Sequence, residues 1–283
     1  MVRSVPGPTG LGRRARRLSD EETAARMLST ALEMINRTGL TVSLDHLSFE
    51  DVIREAGVAR SAVYRHWPYK DLFFSDVVSE LAKAAIPGAA ANDVMVGLIR
   101  RVVAEGDLAS PEGRHGLLVE LIRQASLTDF EALYGSAQWR TYLALHATFL
   151  SLGDGELRDR VQKTLRESEE GFVERVAASW QHITGLFGYR LRPESGATFT
   201  TLATLASAAL RGLILMGLST PDIVAERMDA QPFGADRRAE WSLPALGLAG
   251  IASSFLEPDP AITWDAERSA AVHRAMASLT VPS

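Results

Sequence analysis

The residues best equipped for chemistry lie together in one short run. Arg60, Ser61, Tyr64, Arg65 and His66 fall close together, interleaved with Val63 and Trp67. Valine and tryptophan four apart share one side of a helix, so that side is held against a core and the polar residues face outward. A short helix with an anchored back and a cationic, hydrogen-bonding front suits the DNA major groove. There, guanidinium groups meet guanine edges, and hydroxyls and cations meet phosphates. The same pattern occurs in helical proteins that touch no nucleic acid, so the flanking residues must decide.

Upstream, Ser48 is a good helix cap, and Asp51 three residues on completes a capping-box pattern. Leu47 and Val52 sit at the positions of a hydrophobic staple. Val52 and Ala56 share one face, and Gly57 ends the helix where a left-handed residue costs least. Val58 fills the corner. Two short helices joined at a glycine, the second bearing the cationic front, predict a helix-turn-helix.

The run Glu55-Ala-Gly-Val-Ala-Arg-Ser-Ala-Val-Tyr-Arg-His-Trp-Pro-Tyr-Lys-Asp71 resembles the N-terminal signature of the TetR family of bacterial transcriptional regulators. That signature runs A-G-V-S-x-x-x-L/V-Y-x-H/Y-F-x-x-K-E/D, and the resemblance covers residues of about 21–85. Two positions depart from it. Ala59 stands where a Ser or Thr usually caps the recognition helix, a loss on the order of 1 kcal/mol. The connection Thr38–Leu47 is also a few residues longer than usual.

The resemblance implies an all-α fold: an N-terminal three-helix helix-turn-helix DNA-binding domain plus a larger helical ligand-binding and dimerisation domain. It implies a double-stranded DNA operator as partner, a homodimer that sets two recognition helices about one DNA turn apart, and usually a repressor. Arg60, Ser61, Tyr64 and Arg65 would then meet base edges with Ala62 between them, while Ser48, His66 and Lys70 hold phosphates. The alternative is a helical ligand-binding or adaptor protein on the same fold without DNA binding.

The elements that must position this run can be read on both sides. Residues 1–18 form a flexible basic arm, with Arg13, Arg14, Arg16 and Arg17 behind several prolines and glycines. Ser19 and Glu22 make a capping box for a first helix with an apolar stripe of Ala24, Met27, Leu28, Ala31, Leu32 and Ile35, stopped at Gly39. Pro68 opens the next helix, whose apolar face takes Leu72, Phe73, Val77 and Leu81. Pro87-Gly88 marks the boundary, giving a DNA-binding domain at 19–86 and an effector-binding and dimerisation domain at 87–283. Charge divides at nearly the same place: residues 1–84 hold 12 Lys/Arg against 11 Asp/Glu, and the rest 18 against 24. The front is close to neutral, so its positive charge must be focused on one surface.

Helical periodicity continues to the end, over about 92–106, 113–126, 129–152, 156–187, 195–218, 241–256 and 264–279, with 219–240 as a long connection and no strand pattern. Trp139, Tyr142, His146 and Phe149 recur at helical spacing and, with Phe172 and Trp180, form a candidate lining for a small apolar or aromatic effector; packing in a core with the polar tips satisfied is the simpler and favoured explanation. The acid pair Glu169-Glu170 reads as solvated. Small residues at Ala203, Ala206, Ala209 and Gly212, and at Ala249 and Gly250, suit a four-helix subunit interface or close packing within one subunit.

Several functions are disfavoured. No cysteine is present, and the six histidines at 46, 66, 115, 146, 182 and 273 form no metal-ligating pair, so no metal or cofactor is expected. No phosphate loop or nucleophile elbow occurs, and no catalytic residue is assigned. The longest apolar run, Leu202–Leu218, is short for a bilayer and carries Arg211, and Met1–Gly12 lacks a signal-peptide core; no membrane partner and a cytoplasmic location are expected.

Overall fold

A computed structural model describes residues 18–38, 47–84, 92–104 and 106–278. The arginine arm, the Thr38–Leu47 connection beyond its two ends, Gly39 and the Pro87-Gly88 boundary lie outside the described residues. The chain divides into two units, Met1–Glu80 and Leu81–Ser283.

In the first unit, helix α1 (Asp20–Thr38) lies against α2 (Phe49–Ala56) and α3 (Arg60–His66), and α4 (Lys70–Ala84) follows. The capping box of α1 closes in both directions: Ser19 N–H donates to Glu22 Oε2 at 2.8 Å, and Glu22 N–H to Ser19 Oγ at 3.0 Å. Ser48 caps α2, its Oγ accepting from Asp51 N–H at 3.4 Å, while the Asp51 carboxylate pairs with Arg54. Met27, Ala31 and Ile35 of α1 are fully buried, as are Val52 of α2 and Val63 of α3. Gly57 takes φ 61°, ψ 36°, the left-handed turn that a Cβ would strain. Leu72, expected on the inner face of α4, is instead exposed; Phe73 and Val77 occupy that core.

The second unit is helical, with α5 (Asn92–Ala104), α6 (Pro111–Gly135), α7 (Ala137–Ser151), α8 (Glu156–Leu186), α9 (Phe199–Ser219), a single turn α10 (Pro221–Ala225), α11 (Leu243–Phe255) and α12 (Ala266–Ser278). Its core joins α5, α6, α9 and α11 through Leu98, Val102, Leu118, Leu121, Leu202 and Ala249. The break expected near residues 127–128 falls instead at Ser136. Ser126 does not interrupt α6, because its Oγ bonds back to the Ile122 carbonyl at 2.6 Å. Ser136 caps α7, accepting from Trp139 N–H at 3.2 Å.

Among the described residues, four short strands supplement the helices. β1 (Tyr189–Leu191) pairs antiparallel with β4 (Leu256–Pro258), Arg190 facing Glu257. β2 (Arg227–Ala230) pairs antiparallel with β3 (Ala239–Ser242), Met228 facing Trp241. The expected connection 219–240 therefore holds α10 and most of a hairpin.

Helix α9 spans 21 residues and is long and apolar enough to cross a membrane by length and composition, beyond the shorter run read from the sequence. Packing accounts for only part of that character: Leu202, Ala203, Ala206, Leu210, Ile214 and Gly217 are buried, with α8 and α11 against the helix, while Leu205, Leu215, Met216 and Leu218 are exposed. Ala203, Ala206 and Ala249, candidates for a subunit interface, are thus inside the unit, where small side chains let helices approach closely.

Candidate functional site

In the first unit, α3 is held from behind by its own apolar residues. Val63 is 0% and Trp67 2% exposed, and the Trp67 indole N–H donates to Asp76 Oδ2 at 2.8 Å. Phe73 packs on Trp67 with ring centroids 5.1 Å apart and on Phe49 at 4.9 Å. Phe49 meets Tyr64 edge-on at 5.6 Å. The outer side presents Arg60, Ser61, Arg65 and His66 as exposed residues with Tyr64, while Ala62 is half-buried. Lys70, in the first turn of α4, is exposed, and the exposed Ser48 has its Oγ engaged at the α2 cap. Ala59 precedes α3 with no side-chain cap.

The cationic front is not free of counter-charge. Arg60 pairs with Glu50 of α2, and the Tyr64 hydroxyl donates to the same carboxylate at 2.9 Å. Arg65 pairs with Asp20 of α1. The hydrogen bonds from Arg60 and then Tyr64 hold the Glu50 carboxyl below its ordinary range. An anionic partner at this face would have to compete with Glu50 and Asp20 for these side chains.

In the second unit, four of the six candidate effector residues come together. Trp139 and Tyr142 stack at 4.8 Å, and His146 meets Tyr142 edge-on at 4.3 Å. The Arg211 guanidinium lies 5.5 Å from the Trp139 and Tyr142 rings and 5.2 Å from Phe172. Glu169 completes the cluster: it accepts from Arg211 Nη1 and from the Tyr142 hydroxyl, both at 2.6 Å. Glu169 is therefore engaged rather than solvated, while Glu170 stays exposed. Phe149 faces Arg158 at 4.7 Å instead, and Trp180 packs on the larger core. Burial raises the Tyr142 pKa, and its bond to Glu169 adds to that. Burial lowers the His146 pKa; Arg211 lowers it further and Glu169 opposes both.

A separate cleft of 210 Å³ lies between α5, α6 and the β2–β3 loop, lined by Val102, Leu117, Glu120, Gln124, Asp236 and Arg237 among others. Asp236 crosses Gly116 so closely that a Cβ there would lie 2.1 Å from its carboxylate. Among the described residues, no three His, Asp or Glu side chains gather as metal ligands.

Residues 27–77 match the family model described as bacterial regulatory proteins, tetR family. The N-terminal unit carries a TetR-family domain. The matched segment includes α2, the Gly57 turn and α3 with its outward arginines and tyrosine, so the TetR-family match falls on the helix-turn-helix itself. A solved structure of a TetR-family transcriptional regulator from Agrobacterium tumefaciens is similar at 14% identity and TM-score 0.40, over 71% of this chain and 90% of that one. No curated protein matches the chain.

Sequence patterns do not mark Glu50 and Asp20 beside α3, or the meeting of Arg211 and Glu169 in the aromatic cluster. The one signal present was Arg211, a lone charge in an apolar run. Nothing local marks the carboxylates, whose partners are brought to them by packing.

Proposed function

We propose that the protein is a TetR-like transcriptional repressor that binds its operator as a homodimer and is released by a small effector with an apolar or aromatic body. The observation that carries this reading is the rigidly backed α3, its Arg60, Ser61, Tyr64 and Arg65 side exposed while Val63 and Trp67 are buried. Arg60, Ser61, Tyr64 and Arg65 read base edges beside Ala62; Ser48, His66 and Lys70 fix register on phosphates. Repression is the usual role in the family that the domain resembles.

Dimerisation is supported by the outer side of α9. Leu205, Leu215 and Met216 are 41%, 59% and 50% exposed and follow one another at helical spacing with exposed Ala208 and Gly212. Of the small residues expected at an α9–α11 interface, Gly212 belongs to this stripe, while Ala203, Ala206 and Ala249 are buried within the unit. Effector binding in the aromatic cluster would change the separation of the two recognition helices, weakening DNA binding by as much as the effector prefers the released state.

The pairing of Arg60 and Arg65 with carboxylates favours a second reading, a helical adaptor that keeps the fold without DNA binding. A gel shift on the DNA upstream of the protein's own gene, at stated salt, separates the two. The regulator retains one fragment over competitor DNA. Arg60→Ala erodes that preference, whereas Lys70→Ala weakens all sequences alike and flattens the salt slope by about 1 per subunit. Failure to retain any specific fragment at low salt supports the adaptor.

A further inference from the structure

We propose that Arg211 anchors an effector that bears a carboxylate on its apolar or aromatic body, the guanidinium edge formed by Nε and Nη2 taking the carboxylate side-on. This rests on the effector reading above and names the effector's chemistry.

The guanidinium has three outlets, and only one is used. Nη1 bonds Glu169 at 2.6 Å, but Nε and Nη2 are buried and have no acceptor among the described residues. These two nitrogens point their N–H bonds in parallel from one edge of the plane, which is the edge a carboxylate meets with both oxygens. A third buried donor belongs to the same cluster: Trp139 is 3% exposed, and its indole N–H has no acceptor either. Glu169 does not serve them: its Oε1 takes Arg211 Nη1, its Oε2 takes the Tyr142 hydroxyl, and neither oxygen forms a hydrogen bond with Nε, Nη2 or the Trp139 indole N–H. The cluster is thus short of acceptors and not of donors, which is the complement of an anion.

Aromatic faces alone do not meet this need. The rings of Trp139, Tyr142 and Phe172 stabilise the cation through their π-faces, but they offer the in-plane N–H groups no lone pair. They do supply an apolar wall for the rest of an acid. The 210 Å³ cleft lacks this property: its Glu120 is already bonded to Arg123 and Gln124 and lies 3.6 Å from Arg237. Solvent reaches the margin of the Arg211 cluster, where the Arg211 side chain is 22% and Glu169 33% exposed. The half-buried Phe172 ring lies 5.2 Å from the guanidinium carbon.

The test uses the full chain and four probes: benzoate and octanoate, with benzamide and octanamide as uncharged counterparts. Binding is followed by tryptophan fluorescence and calorimetry. Each acid is expected to bind on the order of tenfold or more tightly than its amide, and Arg211→Lys, which keeps the charge but loses the planar edge, should abolish the difference. Equal binding of acid and amide, undiminished acid binding by a folded Arg211→Lys variant, or no binding of either acid overturns the proposal. The acid–amide comparison on the unaltered protein decides the matter even where the variant fails to fold. Release of operator DNA is measured in parallel. Acid binding without release leaves the site standing and removes the effector role; release by amides and acids alike does the reverse.

Discussion

The Glu169–Arg211 pair should behave as a coupled unit whose removal in halves costs more than its removal together. The charge centres of a pair bonded at 2.6 Å lie roughly 4 Å apart, and with an effective dielectric constant near 20 their attraction is about 4 kcal/mol. Glu169 is 33% and Arg211 22% exposed, so hydration and screening reduce this to about 2 kcal/mol. Glu169→Gln keeps an acceptor for the Tyr142 hydroxyl but removes the charge, stranding a cation among three rings; it should cost about 2 kcal/mol. Arg211→Met restores apolar volume and leaves Glu169 bonded to Tyr142, for about 1 kcal/mol. The double variant should then lose about 1 kcal/mol, not about 3. Urea unfolding followed by tryptophan fluorescence measures this well, because Trp139, Trp180, Trp241 and Trp264 all lie in the second unit. Single-variant losses that add to within about 0.5 kcal/mol would show that the two charges are independently solvated and refute the reasoning.

Three further outcomes follow from other parts of the molecule. Burial alone raises the Asp129 carboxyl from 3.8 to about 6, so its neutral form suits the folded state; the benefit is complete below pH 3.8 and is lost as pH rises through about 6. Asp129→Asn should be more stable than the parent by up to about 3 kcal/mol at pH 7 and no different near pH 3.5, as read from urea midpoints at both pH values; a pH-independent difference counts against it. Ala59→Ser supplies the missing cap of α3 and should stabilise the first unit by about 1 kcal/mol, visible as a later Trp67 fluorescence transition on heating. Glu50→Gln removes the carboxylate that holds Arg60 and Tyr64, so binding to every duplex should tighten and the salt slope should steepen by about 0.9 for each additional phosphate neutralised. An unchanged slope would mean that Glu50 does not compete with DNA.

The caps at Ser19 and Ser48, the turn at Gly57, and the Val63–Trp67 side of α3 were legible because they depend on residues three or four apart. The same rules placed most of the later helix ends within a few residues, but they misjudged Ser126, whose hydroxyl found an acceptor inside its own helix. The strands left no trace: three or four residues cannot display an alternation, and β1 finds its partner in β4, with Arg190 opposite Glu257.

The sequence by itself determined the helical character of the chain and the side of α3 that faces outward. Tertiary structure decided what those outward groups meet. Glu50 stands ten positions from Arg60, Asp20 forty-five from Arg65, and Glu169 on a different helix from Arg211. An isolated charge is free to pair with any opposite charge that packing delivers, and that delivery depends on how whole helices cross. Local patterns carry helix periods and caps, but they do not encode which carboxylate arrives beside which guanidinium, or which edge of Arg211 is left facing inward.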